Sequence, residues 1–377
     1  MEIFIENMGL SHIADNIFAN LDVQSLLNCR SVNSTWKYYI DTTKYFWKNF
    51  IYRFTNLNCE QGKNCVAPWK FLISKKSYSI EELKVFIGFL LKIERVHMES
   101  GNIHYDSCQL NCFEIACKYG DPKILSILLS SQMINIPDKN GILVASQYNN
   151  SKNVQFLMEN CGSIDLNARN YDGSTALHYA CADGNLDIVK SLIEKGIRLN
   201  ATNYDGRTAL HEACHNGHAR IVNLLISNKI NVNAMDNNER TPLHEACENP
   251  FIEVVKLLVD KGSNVNADDV DGLTPMHEAC ANGHLDIIQF LLENGAEANA
   301  LSFEENTALH FACEEGHLDV VEYLLKIPFI NADVSNERGE TPMNLAMQNN
   351  HPKVLDLLSK YCLSKLFAPR IEIKPIG

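Results

Sequence analysis

The chain has 377 residues, 46% hydrophobic and 21% charged, with a formal net charge of −13. That composition is ordinary for a globular protein and is ample for a long repeat array plus a small domain. Residues 1–106 hold 12 Lys and Arg against 11 Asp and Glu, whereas the other 271 hold 21 against 35. An acidic majority argues against a nucleic-acid partner, which needs a basic face.

The start, Met1 to Glu6, lacks the basic segment of a signal peptide. The apolar run Phe86 to Leu91 is short and is followed by Lys92, so no stretch reaches membrane-spanning length. These features predict residence in the cytoplasm, with the nucleus also open, and no membrane partner. Ile13, Ile17, Phe18, Leu21, Leu26, Leu27, Val32 and Trp36 fall at helix-like intervals, and Trp47 follows. Asp22 suits an N-cap before Leu26.

Taken in order, these residues resemble an F-box. The resemblance implies a helical module over residues 1–50 that docks on a Skp-type adaptor of a cullin–RING ubiquitin ligase. The contacts it implies are Ile17, Phe18, Leu21, Leu26, Leu27, Val32 and Trp36. The family opens on Leu-Pro with an acidic residue two positions on, and here Met8-Gly9-Leu10 and His12 stand instead. The alternative for this segment is a helical cap over the open end of the repeats, which an array of stacked units needs.

Residues 51–106 read as a helical connector. Ser79 and Glu82 have the spacing of a capping box. The helix they open, Ile80 to Val96, carries Leu83, Phe86, Ile87, Leu90, Leu91 and Ile93 and should be buried.

From residue 107 a unit recurs. Thr175, Thr208, Thr241, Thr274 and Thr307 are each 33 residues apart, and Thr341 comes 34 later. Each Thr opens T-[A/P]-[L/M]-[H/N]: a natural N-cap, a first-turn position that tolerates Pro, and an apolar residue facing inward. Ile221, Val222, Leu224 and Leu225 form the apolar stripe of a second helix, and Gly196, Gly262 and Gly295 end such helices. Asp205-Gly206 and Asp271-Gly272 mark tight turns. A fixed period of this length signals stacked units that cannot stand alone.

With T-P-L-H-x-A at its heart, the unit resembles the ankyrin repeat. The expected fold is all-α: about eight helix-turn-helix repeats over residues 107–361, preceded by the F-box-like domain and followed by a tail over 362–377. Phe113, Ala116, Gly120 and Leu128 align as one degraded repeat, and Ile142, Ala145, Val154 and Leu157 as a second.

Cys181, Cys214, Cys247, Cys280 and Cys313 share one slot of successive repeats, and Cys117 fits the same slot. Packed helices stand about 8–10 Å apart, too far for a disulfide, so these thiols read as small buried hydrophobes. His178, His211, His244, His277 and His310 recur one per unit. A metal site would need several to converge, and the resemblance implies instead that each His ties its helix start to the neighbouring unit. No phosphate loop or nucleophile motif is present. The reading is a non-enzymatic interaction protein with no cofactor and no metal.

The resemblance places partner binding on the concave face, made by turn tips and first helices. By register that face offers Tyr171, Tyr204, Arg207, Met235, Arg240, Val270, Leu273 and Phe303, and aromatic and Arg side chains lead among binding hot spots. Glu239 and Glu305 stand where other tips carry Gly, which predicts a left-handed backbone there or a reshaped turn. Asn200, Asn233, Asn266 and Asn299 are expected to brace their own turns. The function expected is a substrate receptor of a Skp–cullin–F-box ligase, with an unidentified protein as substrate. The alternative is an ankyrin scaffold or inhibitor with no ligase link.

Overall fold

The computed structural model describes residues 112–130, 140–162 and 164–366. The expected F-box contacts Ile17, Phe18, Leu21, Leu26, Leu27, Val32 and Trp36 and the connector helix lie outside the described residues. The chain divides after Ala168 into two units.

The first unit contains α1 (Cys112–Tyr119), α2 (Pro122–Ser130), α3 (Gly141–Gln147) and α4 (Ser151–Asn160). These are the two degraded repeats: α1 packs on α2 and α3, and α4 on α2 and α3. Phe113, Ala116, Ile142, Ala145, Val154 and Leu157 are all buried, as their alignment predicts. Asn153 is buried too, and its side-chain amide donates to the carbonyls of Ala116, Cys117 and Gly120 at 3.0, 3.0 and 2.9 Å. A buried polar group on an apolar helix face is tolerated because it satisfies the carbonyls that end α1.

The second unit holds six pairs: α5 (Ala176–Ala182) and α6 (Leu186–Glu194); α7 (Ala209–His215) and α8 (Ala219–Ser227); α9 (Pro242–Glu248) and α10 (Ile252–Asp260); α11 (Pro275–Ala281) and α12 (Leu285–Glu293); α13 (Ala308–Glu314) and α14 (Leu318–Leu324); α15 (Pro342–Gln348) and α16 (Pro352–Leu366). With the first unit this makes eight pairs among the described residues, the number the repeats predict. Within the second unit each first helix packs on the first helix of the next pair, and α6 packs on α8, α8 on α10, α10 on α12 and α14 on α16. The last helix continues to Leu366, past Tyr361.

Each first helix begins where the threonine makes it begin. Thr175, Thr208, Thr241, Thr274 and Thr307 are extended N-caps, and Pro242, Pro275 and Pro342 sit at the first helical position, where no N–H is missed. Two apolar helix stripes then close over each other: Leu210, Ala213 and Cys214 from α7, and Ile221, Val222 and Leu225 from α8, are at most 1% exposed. Truncating a leucine in such a stripe costs about 2–5 kcal/mol. The cysteines Cys117, Cys181, Cys214, Cys247, Cys280 and Cys313 are all buried thiols in no disulfide.

Candidate functional site

Ahead of each pair of the second unit the chain runs through a tip, six in all, built on one plan. In the second tip, Asn203 accepts the backbone N–H groups of Asp205 and Arg207 on its side-chain oxygen, at 3.1 and 2.9 Å, and the Asn203 N–H donates to the Arg207 carbonyl at 2.9 Å. Asn170, Asp236, Asp269 and Asn336 occupy the same slot with the same bonds. In the fifth tip Ser302 stands there, its hydroxyl accepting the Asn306 N–H at 3.1 Å. Successive tips are then linked backbone to backbone: Tyr204 to Asp172, Asn237 to Asp205, Val270 to Asn238, Phe303 to Asp271 and Glu337 to Glu304, at 2.8 to 3.0 Å. This chain of bonds holds the tips in register, so the side chain after each slot emerges in a row.

That row is exposed. Tyr171 is 88% accessible, Tyr204 and Phe303 each 65%, and Val270 43%; Met235 and Leu301, two positions earlier in their tips, are 54% and 52% accessible. Large apolar side chains in a line on an otherwise polar surface make this row the candidate interaction surface. Two of the rings are also seated against the preceding tip. A Cβ on Gly173 would lie 2.8 Å from Cδ1 of Tyr204, and one on Gly272 2.8 Å from Cδ1 of Phe303, so each ring rests against the glycine of the preceding tip. An aromatic fixed before binding loses less entropy on contact.

Arg207, Arg240 and Leu273, from the same predicted set, sit differently. Leu273 is half-buried. Arg207 takes Glu212 on Nε at 3.0 Å and Glu245 across its terminal nitrogens at 2.9 and 3.0 Å. Arg240 reaches Glu245 at 3.2 Å, Glu248 at 3.1 Å, Asp269 at 3.8 Å, and Glu278. Both guanidiniums are thus tied to carboxylates of their own and the next repeat, and a partner meets ion pairs there rather than free cations. Burial raises the Glu245 carboxyl, but the hydrogen bonds and charge of Arg207, then of Arg240, outweigh it and hold the group below the usual range. Glu278, where burial dominates, is pushed up.

His215 Nδ1 also lies 3.0 Å from Glu245, and the ligand atoms of His215, Glu245 and Glu248 fall within 4.8 Å of one another. The Glu245 oxygens already face two guanidiniums, a charge environment that disfavours a cation, so this trio is part of the ion-pair network.

The predicted histidine ladder is present and its chemistry is explicit. The Thr208 N–H donates to His211 Nδ1 at 3.1 Å, and His211 Nε2 lies 3.1 Å from the Arg240 carbonyl in the next tip. Since Nδ1 accepts, Nε2 carries the proton and donates. His178, His244, His277 and His310 repeat this, reaching Arg207, Leu273, Ala300 and Glu340. Burial lowers the pKa of all five, His277 to about 4.

A second ladder was missed by sequence reasoning. His218, His284, His317 and His351 donate from Nε2 to the carbonyls of Ala182, Glu248, Ala281 and Glu314, 2.9 to 3.2 Å away, at the C-terminal ends of first helices one repeat back. The signal was there: Gly217-His218, Gly283-His284 and Gly316-His317 carry the same period. Phe251 takes this place in the third pair, its ring against Gly217.

The loop asparagines brace across repeats, which corrects the expectation of bonds within their own turns. Asn233 accepts the N–H of Asn264 at 2.9 Å and donates to the Gly262 carbonyl at 3.1 Å, both in the next repeat. Asn266 and Asn299 do the same toward the repeats that follow them, and Asn200 accepts the N–H of Asn231 at 3.0 Å. The stacked loops bring the next backbone closer than the residue's own turn.

Fold and tips together define a helical repeat protein with a row of exposed apolar side chains along its tips. A family model of ankyrin repeats matches the chain three times, over residues 142–236, 231–302 and 299–365, and the chain belongs to the ankyrin-repeat family. An F-box domain model matches residues 11–48. A comparison with curated protein sequences finds no match. Both modules are interaction modules without chemistry of their own, so the chain is a protein-interaction adaptor. Among the described residues no helix is long and apolar enough to cross a membrane.

Proposed function

We propose that this chain is the substrate receptor of a Skp–cullin–F-box ubiquitin ligase. The observation that carries the reading is the pairing, in one chain, of an F-box match at residues 11–48 with a repeat array whose tips expose a line of apolar side chains. Residues 1–50 hold the adaptor, 51–106 connect, and the repeats from 107 to 361 hold a protein substrate. Bringing substrate and ubiquitin-charged enzyme together is the receptor's whole contribution to the reaction.

The adaptor contacts are Ile17, Phe18, Leu21, Leu26, Leu27, Val32 and Trp36. The substrate contacts centre on Tyr171, Tyr204, Met235, Val270 and Phe303, with Arg207, Arg240 and Leu273 framing them. Co-purification with recombinant Skp-type adaptor and cullin tests the ligase link, wild type against Ile17→Asp/Leu21→Asp. Wild type should retain both partners and the double variant neither, with unchanged helicity. Adaptor capture by a folded double variant would overturn the contacts assigned to the F-box, and no capture by wild type would leave a scaffold without a ligase.

A further inference from the structure

The face that carries the apolar row is one-sided in charge. Across the six tips with their first helices, residues 169–183, 202–216, 235–249, 268–282, 301–315 and 335–349, stand eighteen carboxylates against four arginines and no lysine. The lysines between residues 169 and 361, from Lys190 to Lys360, all lie on second helices or the loops after them. Three of the four arginines are engaged: Arg207 and Arg240 in the buried network, and Arg338 with Glu304 at 3.3 Å. The fourth and fifth tips are the most one-sided, because residues 268–282 and 301–315 contain no Lys or Arg of their own.

The fifth tip shows the consequence. Leu301 and Phe303 are exposed beside Glu304, Glu305 and Glu315, which are exposed as well, and half-buried Glu314. Burial, then the like charges of Glu315 and Glu340, pushes the Glu314 carboxyl up, as expected where negative charge is crowded. Phe311 stands half-buried where the three preceding first helices carry Glu212, Glu245 and Glu278, and adds apolar surface at the same end.

We propose that the segment held by these repeats is a basic stretch of polypeptide with apolar anchors, its Lys and Arg side chains on the Glu304, Glu305, Glu314 and Glu315 carboxylates and its apolar side chains on Tyr204, Val270, Leu301 and Phe303. The inference rests on the reading of this face as the substrate-binding face and names the substrate's chemistry. Anchors supply the contact area, and opposite charge speeds encounter and excludes wrong partners. The same field excludes other occupants. A nucleic acid would bring phosphates to carboxylates. A second copy of this chain, at −13, would be repelled, and its residues 1–106 are near neutral.

The test is selection of a random-peptide display library on the immobilised full chain, run in parallel on Glu304→Lys/Glu305→Lys/Glu314→Lys/Glu315→Lys. None of these four side chains is buried among the apolar residues of the array, so the variant should fold, and its helicity checks that. Wild type should enrich sequences rich in Lys and Arg with Leu, Ile or Phe. The quadruple variant should lose that preference and enrich acidic sequences. A synthetic peptide from the wild-type set should bind the full chain severalfold more weakly when salt rises from about 50 to 300 mM, since screening at that ionic strength reaches within a few ångströms. It should also bind at least tenfold more weakly to Tyr204→Ser/Phe303→Ser. Peptides without charge bias, or the same set from both proteins, would overturn the proposal, as would a selection that enriches nothing. Adaptor co-purification of the quadruple variant keeps the two readings apart. Retained adaptor with altered peptide choice supports both, and lost adaptor in wild type overturns only the ligase reading.

Discussion

His211 Nε2 lies 3.1 Å from the carbonyl oxygen of Arg240, twenty-nine residues on and in the next repeat. The opposite ring nitrogen accepts the Thr208 N–H at 3.1 Å, so a single neutral imidazole caps its own helix and bonds to its neighbour. In the last pair Asn344 stands in the histidine's place: the Thr341 N–H donates to its side-chain oxygen at 2.9 Å, and no repeat follows among the described residues. His211→Asn should therefore keep the cap and lose the link. The expected cost is about 1–3 kcal/mol, the range for a buried carbonyl left without its donor, read as a lower denaturant midpoint. An unchanged midpoint would show that the inter-repeat bond contributes nothing.

Protonation should do the reverse to all five histidines: Nε2 still donates to the neighbouring carbonyl, but the cap loses its acceptor. Burial holds their pKa below the ordinary 6.5, His277 at about 4, and a proton on Nδ1 would face the threonine N–H. The sign follows from linkage: the folded pKa is the lower one, so the unfolded chain takes up protons first. Stability is fully present above about pH 6.5 and falls as pH drops toward 4. The thermal midpoint should decline through that window, and His211→Asn should decline less steeply than wild type. A midpoint flat from pH 7 to 5 would contradict it.

Glu239 and Glu305 adopt φ of 60° each, the left-handed backbone that Gly173, Gly206, Gly272 and Gly339 adopt in the sister tips. The turn is thus kept, and the side chain bears the strain, about 1–2 kcal/mol per residue. Glycine at either site removes that strain and adds up to about 1 kcal/mol of unfolded-state entropy. Relief of strain outweighs the added entropy, so Glu239→Gly and Glu305→Gly should each stabilise by up to about 1 kcal/mol. Chemical denaturation of both variants would show higher midpoints, and lower ones would mean that chain entropy prevails.

The Glu245 side chain is 3% exposed and serves two guanidiniums that are 21% and 18% exposed. Glu245→Ala would leave both partly buried cations short of their shared partner. A cost of about 2–4 kcal/mol is expected, below the figure for a fully dry pair because the guanidiniums keep some water. The Arg338–Glu304 pair, 68% and 58% exposed, has the opposite character. Arg338→Ala should change stability by less than about 0.5 kcal/mol. Equal effects from the two substitutions would refute the division between a buried network and a surface pair.

What could be read from the sequence is what repeats with a fixed period. The threonine caps, the cysteine slot, the histidine ladder and both left-handed glutamates follow from aligning one unit on the next. What could not be read depends on how far apart stacked units stand. Arg207 was legible as a tip residue, but its pairing with Glu245 needs a side chain thirty-eight positions away. The asparagine braces escaped for the same reason: Asn233 prefers the backbone of Gly262 to its own turn because the next loop lies nearer. His218 was hidden by its resemblance to an ordinary helix-start residue, although its period matched.

Gly272 and Gly339 offer the sharpest test of how closely the tips approach. Their backbones are alike, with φ of 72° at both. Their surroundings differ. A Cβ on Gly272 would meet Phe303 at 2.8 Å, both at the ring and at the backbone nitrogen, whereas one on Gly339 would meet nothing within 4 Å. Gly339→Ala should therefore cost only the backbone strain, about 1 kcal/mol. Gly272→Ala adds a displacement of the next tip and should cost about 2–3 kcal/mol, within the range for overpacking. Adding Phe303→Ala removes the ring from the clash but leaves the backbone nitrogen, so the double variant should recover only part of the excess. A double-mutant cycle separates the two shares. Equal costs at Gly272 and Gly339 would mean that the tips give way freely, and that the Phe303 ring is not held in place before a partner arrives.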